Sequence, residues 1–273
     1  MTITDFNNPI GLADGFFNGR VPLATPSTFP SPYEIDYMRY LYYLCIKNGE
    51  GDYPKEISIE EMEEAFKNDR DCKPRIKKIL IGEAPPTNYF NYFYNPSPLR
   101  WNAATGNPTS GQSWTSAIKN ALFPGMAFPD TLAFLKACAA EGFLLLDLFP
   151  YAINYSGKRT SKKYKSACIS AYGGAAPYPH NILNTLTSIK CCLEKDFSIA
   201  FAMKSFGEII LSDADCVTET TNWFLANGKN INPPGPIDSV RVIPVQDSSV
   251  YLRVCGRRYL LAPCSNLMNL AGI

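Results

Sequence analysis

Hydrophobic and polar positions fall into distinct textures along the chain. Residues 1–30 carry Gly, Pro and Asn throughout, without periodicity, and read as an extended arm. From residue 31 apolar positions recur every three or four, so residues 31–47 (SPYEIDYMRYLYYLCIK) predict a helix with Ser31 as N-cap and Pro32 at its first position. Residues 58–68 predict a second helix, in which Ser58 and Glu61 stand at capping-box spacing. The run RIKKILI at residues 75–81 is different. It is a short apolar run that stops at Gly82, as a buried strand would. FLLLDL (143–148) and SIAFAM (198–203) repeat that texture, and residues 239–245 and 258–262 predict further strands.

Helical patterns separate these strands: residues 113–123 with Ser113 as cap, 130–142 closed by Gly142, and 181–195. Strands that alternate with helices imply βαβ units, a parallel central sheet and right-handed crossovers. Ligands then bind beyond the carboxyl ends of the strands, which singles out the loops after Ile81, Leu146 and Ala262. Residues 83–112 lack periodicity, and a loop of that length inside an α/β domain is functional or disordered; its aromatic content argues against disorder. A polar loop is expected after residue 148, and residues 217–236 give no clear pattern.

Composition narrows the function classes. Hydrophobic residues make up 46% and charged residues 19%, enough to bury a core and unlike a disordered chain. The formal net charge of +1 gives no global basic field, but residues 157–165 (GKRTSKKYK) place five cations in nine positions, and phosphate contact or a solvated loop would explain them. The nine cysteines include no CxxC pair, and the single His180 cannot complete a zinc signature, so neither a metal nor another cofactor is expected. Most thiols are expected to be reduced and the protein cytoplasmic. The N-terminus lacks a basic start and an apolar run, and no window approaches a membrane span, so no signal peptide or membrane partner is expected. His180, between Pro179 and a predicted helix, reads as a capping or surface residue; Glu208 and Asp213 have nothing to fix their position.

Three loops carry the candidate chemistry. In the first, Gly82 turns the chain off the strand and Pro85 and Pro86 stiffen it, presenting Glu83 and Ala84 at the sheet edge. Tyr89, Phe90, Tyr92, Phe93 and Tyr94 follow as faces for stacking on a planar ligand, or as rings that pack over the sheet. In the second, Asp147 interrupts an apolar strand at its carboxyl end, beside Phe149, where an unpaired carboxylate would cost several kcal/mol. It serves a ligand or caps a turn. In the third, Ser265, Asn266 and Asn269 offer hydroxyl and amide groups suited to phosphate.

These loops together resemble the uracil-DNA glycosylase superfamily. The strand followed by GEAPP (79–86) looks like its first motif in the GEAPG form, LLLDLFPYAIN (144–154) like the strand bearing the base reader, and APCSNLMN (262–269) like the last motif. The resemblance covers residues 75–269 and implies a three-layer α/β/α sandwich with a parallel four-stranded sheet. Residues 74–273 would form that domain, and residues 1–73 an arm and helical extension packed on it. It further implies hydrolysis of the N-glycosidic bond of a damaged or deaminated base in DNA, after the base is flipped out of the stack. Glu83 and Asp147 are then the candidate catalytic residues. Gly82, Ala84, Pro85, Phe93, Tyr94, Phe149, Ser265, Asn266 and Asn269 are candidate substrate-binding residues, with Phe93 or Tyr94 as the stacking ring. The pattern departs from the family at two positions. The usual base-reading Asn is Asp147, which mainly accepts, and the usual His or Asn of the last motif falls at Pro263. DNA, single-stranded DNA included, or a nucleotide is the expected partner; a catalytically inactive pocket protein of the same fold, binding a nucleotide, nucleic acid or protein partner, is the alternative.

Overall fold

The structure is a computed structural model that describes residues 32–67, 75–86, 88–149, 158–159, 161–172, 189, 192–202, 240–244, 250–254 and 257–261. The arm at residues 1–30, residues 150–154, His180, Glu208, Asp213 and residues 262–269 lie outside them.

The fold is mixed α/β. Three strands, β1 (Ile76–Gly82), β4 (Phe143–Asp147) and β5 (Leu193–Phe201), form a parallel sheet in the order β4-β1-β5. β1 is central and pairs Lys78 with Phe143 through to Gly82 with Asp147, so the two chemically marked loops leave the sheet side by side. On its other side Lys78 to Ile81 pair with Ser198 to Phe201, after a register shift near Ile76. β5 starts at Leu193, so the last residues of the helix expected over 181–195 are strand instead.

Four helices occur where periodicity expects them. α1 spans Pro32–Cys45 and α2 Ile59–Lys67; the capping box at α2 forms, with Ser58 N–H donating to Glu61 Oε2 at 3.0 Å and Glu61 N–H to Ser58 Oγ at 3.2 Å. α3 spans Ser113–Leu122; its N-cap position is Gln112, without a side-chain cap bond, so Ser113 is the first helical residue rather than the cap. α4 spans Thr131–Ala140, with Asp130 Oδ1 accepting from Ala133 N–H at 2.7 Å. Gly142 then turns with φ +66 where a Cβ would lie 2.3 Å from Arg75 carbonyl, so only glycine closes this crossover onto β1. The expected polar loop after residue 148 contains a fifth helix, α5 (Lys162–Tyr172), whose inward residues Tyr164, Ala167 and Cys168 are buried. Its high lysine content hides that spacing.

Among the described residues the parallel sheet has three of the expected four strands. The run at 258–262 forms β8 (Arg257–Leu261), which pairs antiparallel with β7 (Val250–Val254), itself antiparallel to β6 (Val240–Pro244). β7 is a strand that sequence reading passes over. With only residues 255–256 between β7 and β8, a local hairpin forms at little loop-closure cost. On the other side of the parallel sheet, the free edge of β4 is closed by side chains. Tyr40 Oη donates to Phe143 carbonyl at 2.6 Å; Tyr94 Oη donates to Leu145 carbonyl at 2.6 Å and accepts from Leu145 N–H at 2.8 Å. Two tyrosines thus satisfy the backbone groups that a further strand would otherwise take.

The long segment after β1 is ordered by a buried cation. It contains 3-10 turns at Tyr89–Asn91 and Pro98–Arg100 and a small ribbon of β2 (Trp101–Asn102) and β3 (Asn107–Pro108). Arg100 is fully buried, and no carboxylate among the described residues hydrogen-bonds to it. Its guanidinium donates to Gln112 Oε1 at 2.9 and 3.1 Å, Thr115 Oγ1 at 2.9 Å, Phe93 carbonyl at 3.1 Å and Asn95 carbonyl. Burial pulls its pKa down to about 10. Beside it Tyr89 Oη donates to the buried Asp36, and Tyr33 Oη donates to Pro86 carbonyl at 3.0 Å, which ties α1 to the loop. Cys45, Cys138 and Cys168 are free and buried, whereas Cys192 is disulfide-bonded. Among the described residues no helix is long and apolar enough to cross a membrane.

Candidate functional site

The parallel register brings Glu83 and Asp147 together at the carboxyl ends of β1 and β4. The two exits are bound to each other: Leu148 N–H donates to Gly82 carbonyl at 3.0 Å and Phe149 N–H to Glu83 carbonyl at 2.9 Å. Gly82 sits directly across from Asp147, and a Cβ there would lie 2.6 Å from Asp147 Oδ1. The glycine is therefore what lets the carboxylate lie flat over the neighbouring strand.

The two carboxylates have opposite surroundings. Glu83 is saturated with donors. Arg159 Nε donates to Oε1 at 2.7 Å and Nη2 to Oε2 at 3.1 Å, and Tyr164 Oη donates to Oε1 at 2.5 Å. The Arg159–Glu83 fork is the strong, geometry-specific kind of ion pair. Its effect on Arg159 is an upward pKa shift, caused first by the Glu83 hydrogen bond. Asp147, by contrast, has no side-chain hydrogen bond to any described residue. Burial, and next the charge of Glu83, push its pKa up to about 7.

The other predicted positions divide clearly. Ala84 packs at the margin of the core, Pro85 is buried, and Phe149 is 1% exposed with its ring 6.5 Å from that of Tyr164. Phe93 and Tyr94, expected as stacking rings, are spent on the interior. Phe93 packs edge-on against Tyr94, Phe134 and Phe143, and Tyr94 caps the β4 edge. Both side chains face inward because no described strand pairs with β4 on that side, and the loop covers it. Tyr92 is the ring of this loop that senses Asp147: after burial, that charge is the next cause of its raised pKa. Ser265, Asn266 and Asn269 lie outside the described residues.

Sequence reading missed Arg159, Tyr164 and Cys168 as site residues. Arg159 sits inside the basic run, where nothing distinguishes it from solvated neighbours; Lys158, Lys162 and Lys165 are exposed while Arg159 turns in to Glu83. Tyr164 and Cys168 stand four apart, an apolar helical spacing that would have flagged α5. Burial pushes the Cys168 thiol up to about 12, which leaves almost no thiolate for nucleophilic work at neutral pH. Comparison of the chain with protein-family models, with curated proteins and with solved structures found no match.

Proposed function

We propose that this chain is a DNA-glycosylase-like hydrolase acting on the N-glycosidic bond of a base in DNA, on a uracil-DNA glycosylase-like sandwich whose sheet has a fourth strand. The observation that carries the reading is the carboxylate pair at the ends of adjacent parallel strands, with one member held by three donors and the other without a donor among the described residues. Paired carboxylates whose environments differ are the pattern expected of glycosidic chemistry. In this reading Glu83, held in place by Arg159 and Tyr164, faces the positive charge that develops on the sugar as the bond to the base breaks. Asp147 holds the polar edge of the base. Water adds its hydroxyl to the sugar carbon and its proton goes to the departing base.

A second reading has its own support. Both Glu83 oxygens are already engaged, so the carboxylate has little capacity left to act on water. A pocket protein that binds a base or nucleotide without cleaving it fits that geometry.

The deciding experiment is a cleavage assay. Duplex and single-stranded oligonucleotides carrying uracil, hypoxanthine, xanthine or oxidised bases are incubated with the protein and treated with alkali to reveal abasic sites. Glu83→Gln and Asp147→Ala run in parallel. Cleavage that falls by about 10² or more in both variants is the expected result. Binding without cleavage of any substrate assigns the pocket-protein reading instead.

A further inference from the structure

The asymmetry between the two carboxylates points to the chemical class of the ligand. From the Asp147 side chain, which lies against Gly82 without a donor from any described residue while its neighbour Glu83 holds three, we infer that the site takes a base with two adjacent N–H donors, a guanine-type edge. This deepens the base-binding role proposed above and rests on it.

A carboxylate only accepts, through two oxygens about as far apart as two neighbouring donors on a heterocycle. Glu83 shows what such a group takes when the protein supplies it: the Arg159 fork, with Nε and Nη2 on separate oxygens, and a hydroxyl besides. Asp147 has the same acceptors and none of those partners. Arg159 is committed to Glu83, and the charge of Asp147 acts on Tyr92 without a hydrogen bond between the two. A ligand that brings two adjacent donors would fill the same two acceptors on Asp147.

The edges of the bases differ at this point. Guanine offers its ring N1–H beside its 2-amino group, and 8-oxidised guanine keeps both. Adenine and cytosine set a ring-nitrogen lone pair beside the amino group, and uracil sets a carbonyl on each side of its N–H, so each would place one acceptor against a carboxylate oxygen, which repels it; hypoxanthine sets only a C–H where guanine has its amino group and so fills one oxygen instead of two. An amide at position 147 would serve uracil or hypoxanthine; the carboxylate serves guanine. Gly82 matters here because only a residue without a Cβ leaves Asp147 in place.

The test is equilibrium binding, which needs no catalysis. Guanosine, inosine and uridine are titrated at pH 8 into the full chain and into Asp147→Asn, with protein fluorescence as the readout and thermal unfolding as a check on folding. Inosine differs from guanosine only by the 2-amino group, so wild-type protein alone decides the main point. Guanosine is expected to bind at least about tenfold more tightly than inosine, the worth of one hydrogen bond to a charged acceptor. In Asp147→Asn that preference is expected to vanish. Equal affinities for guanosine and inosine in the wild type, a preference for uridine, a preference that survives in Asp147→Asn, or no binding of any nucleoside or oligonucleotide overturns the inference. A short oligonucleotide with guanine or hypoxanthine at its centre separates a base on a strand from a free nucleoside, and preference for guanine in either form supports the assignment. The outcomes are independent of the cleavage assay. Guanine preference without cleavage sinks only the hydrolase, whereas cleavage of uracil-containing DNA without guanine preference sinks only this inference.

Discussion

Gly82→Ala separates the position of the Asp147 carboxylate from its presence. The added methyl would sit 2.6 Å from Asp147 Oδ1 and 3.7 Å from both Leu145 Cδ1 and Leu146 carbonyl. Only the first of these is a clash, and the atom that must give way is the end of a short side chain. Asp147 therefore rotates away until the contact reaches at least 3.0 Å, while the strand pairing of Gly82 with Asp147 is retained. Holding a side chain about 30° off its rotamer costs on the order of 0.5–1.5 kcal/mol. Replacing a strand glycine by alanine returns roughly 0.5–1 kcal/mol by restricting the unfolded chain. The two nearly cancel, so the unfolding temperature is expected to move by no more than about 4 °C. The site fares differently, because a displacement of about 1 Å at a reacting or binding group costs on the order of 10² in rate. Thermal unfolding by circular dichroism, run beside the cleavage and guanosine-binding assays, reads both quantities. Unchanged binding and cleavage in Gly82→Ala would show that the carboxylate does no work where it lies. A fall of roughly 10 °C or more would show instead that the backbone, not the side chain, absorbs the methyl group.

Three further outcomes follow from buried polar groups. Arg100→Met strands the acceptors on Gln112, Thr115, Phe93 and Asn95 in the interior, and a loss of roughly 3 kcal/mol or more is expected from denaturant midpoints. Tyr94→Phe keeps the ring and removes the cap from Leu145 N–H and carbonyl, so a loss of roughly 1–3 kcal/mol is expected, with faster amide exchange at Leu145. Asp147 and Asp36 have pKa values raised to about 7 and about 6 from an ordinary 3.8, in both cases chiefly by burial. The folded state thus holds more protons than the unfolded one in that window, and the stability this provides is full below pH 4 and lost as pH rises through 6 and 7. Asp147→Asn should flatten the upper part of that slope and Asp36→Asn the lower part; a slope unchanged in both would refute the burial argument. Guanosine affinity should run the opposite way and rise through pH 7, since only ionised Asp147 accepts twice. Among the described residues the groups that act on Asp147 are Glu83 and Tyr92, and the Arg159 charge is paired with Glu83.

Much of the frame was legible in the residues. The helices over 31–47, 58–68, 113–123 and 130–142 and the strands at 75–81 and 143–148 correspond to α1 to α4, β1 and β4, because periodicity, caps and closing glycines act within a few residues. So was the pairing of Glu83 with Asp147, since parallel strands release their loops at one end. The α5 helix and β7 were not, because lysines mask the spacing of one and the other lacks a marked boundary.

What only tertiary structure decided is how each polar or aromatic group is spent. Glu83 meets Arg159 and Tyr164 across 76 and 81 residues, and Tyr94 reaches the Leu145 backbone across 51. Nothing local distinguishes Arg159 from the lysines around it, or Tyr94 from a stacking ring. The choice follows from which groups the closed fold removes from water. A buried donor or acceptor must find a partner, and that partner stands wherever the chain returns in space rather than next in sequence.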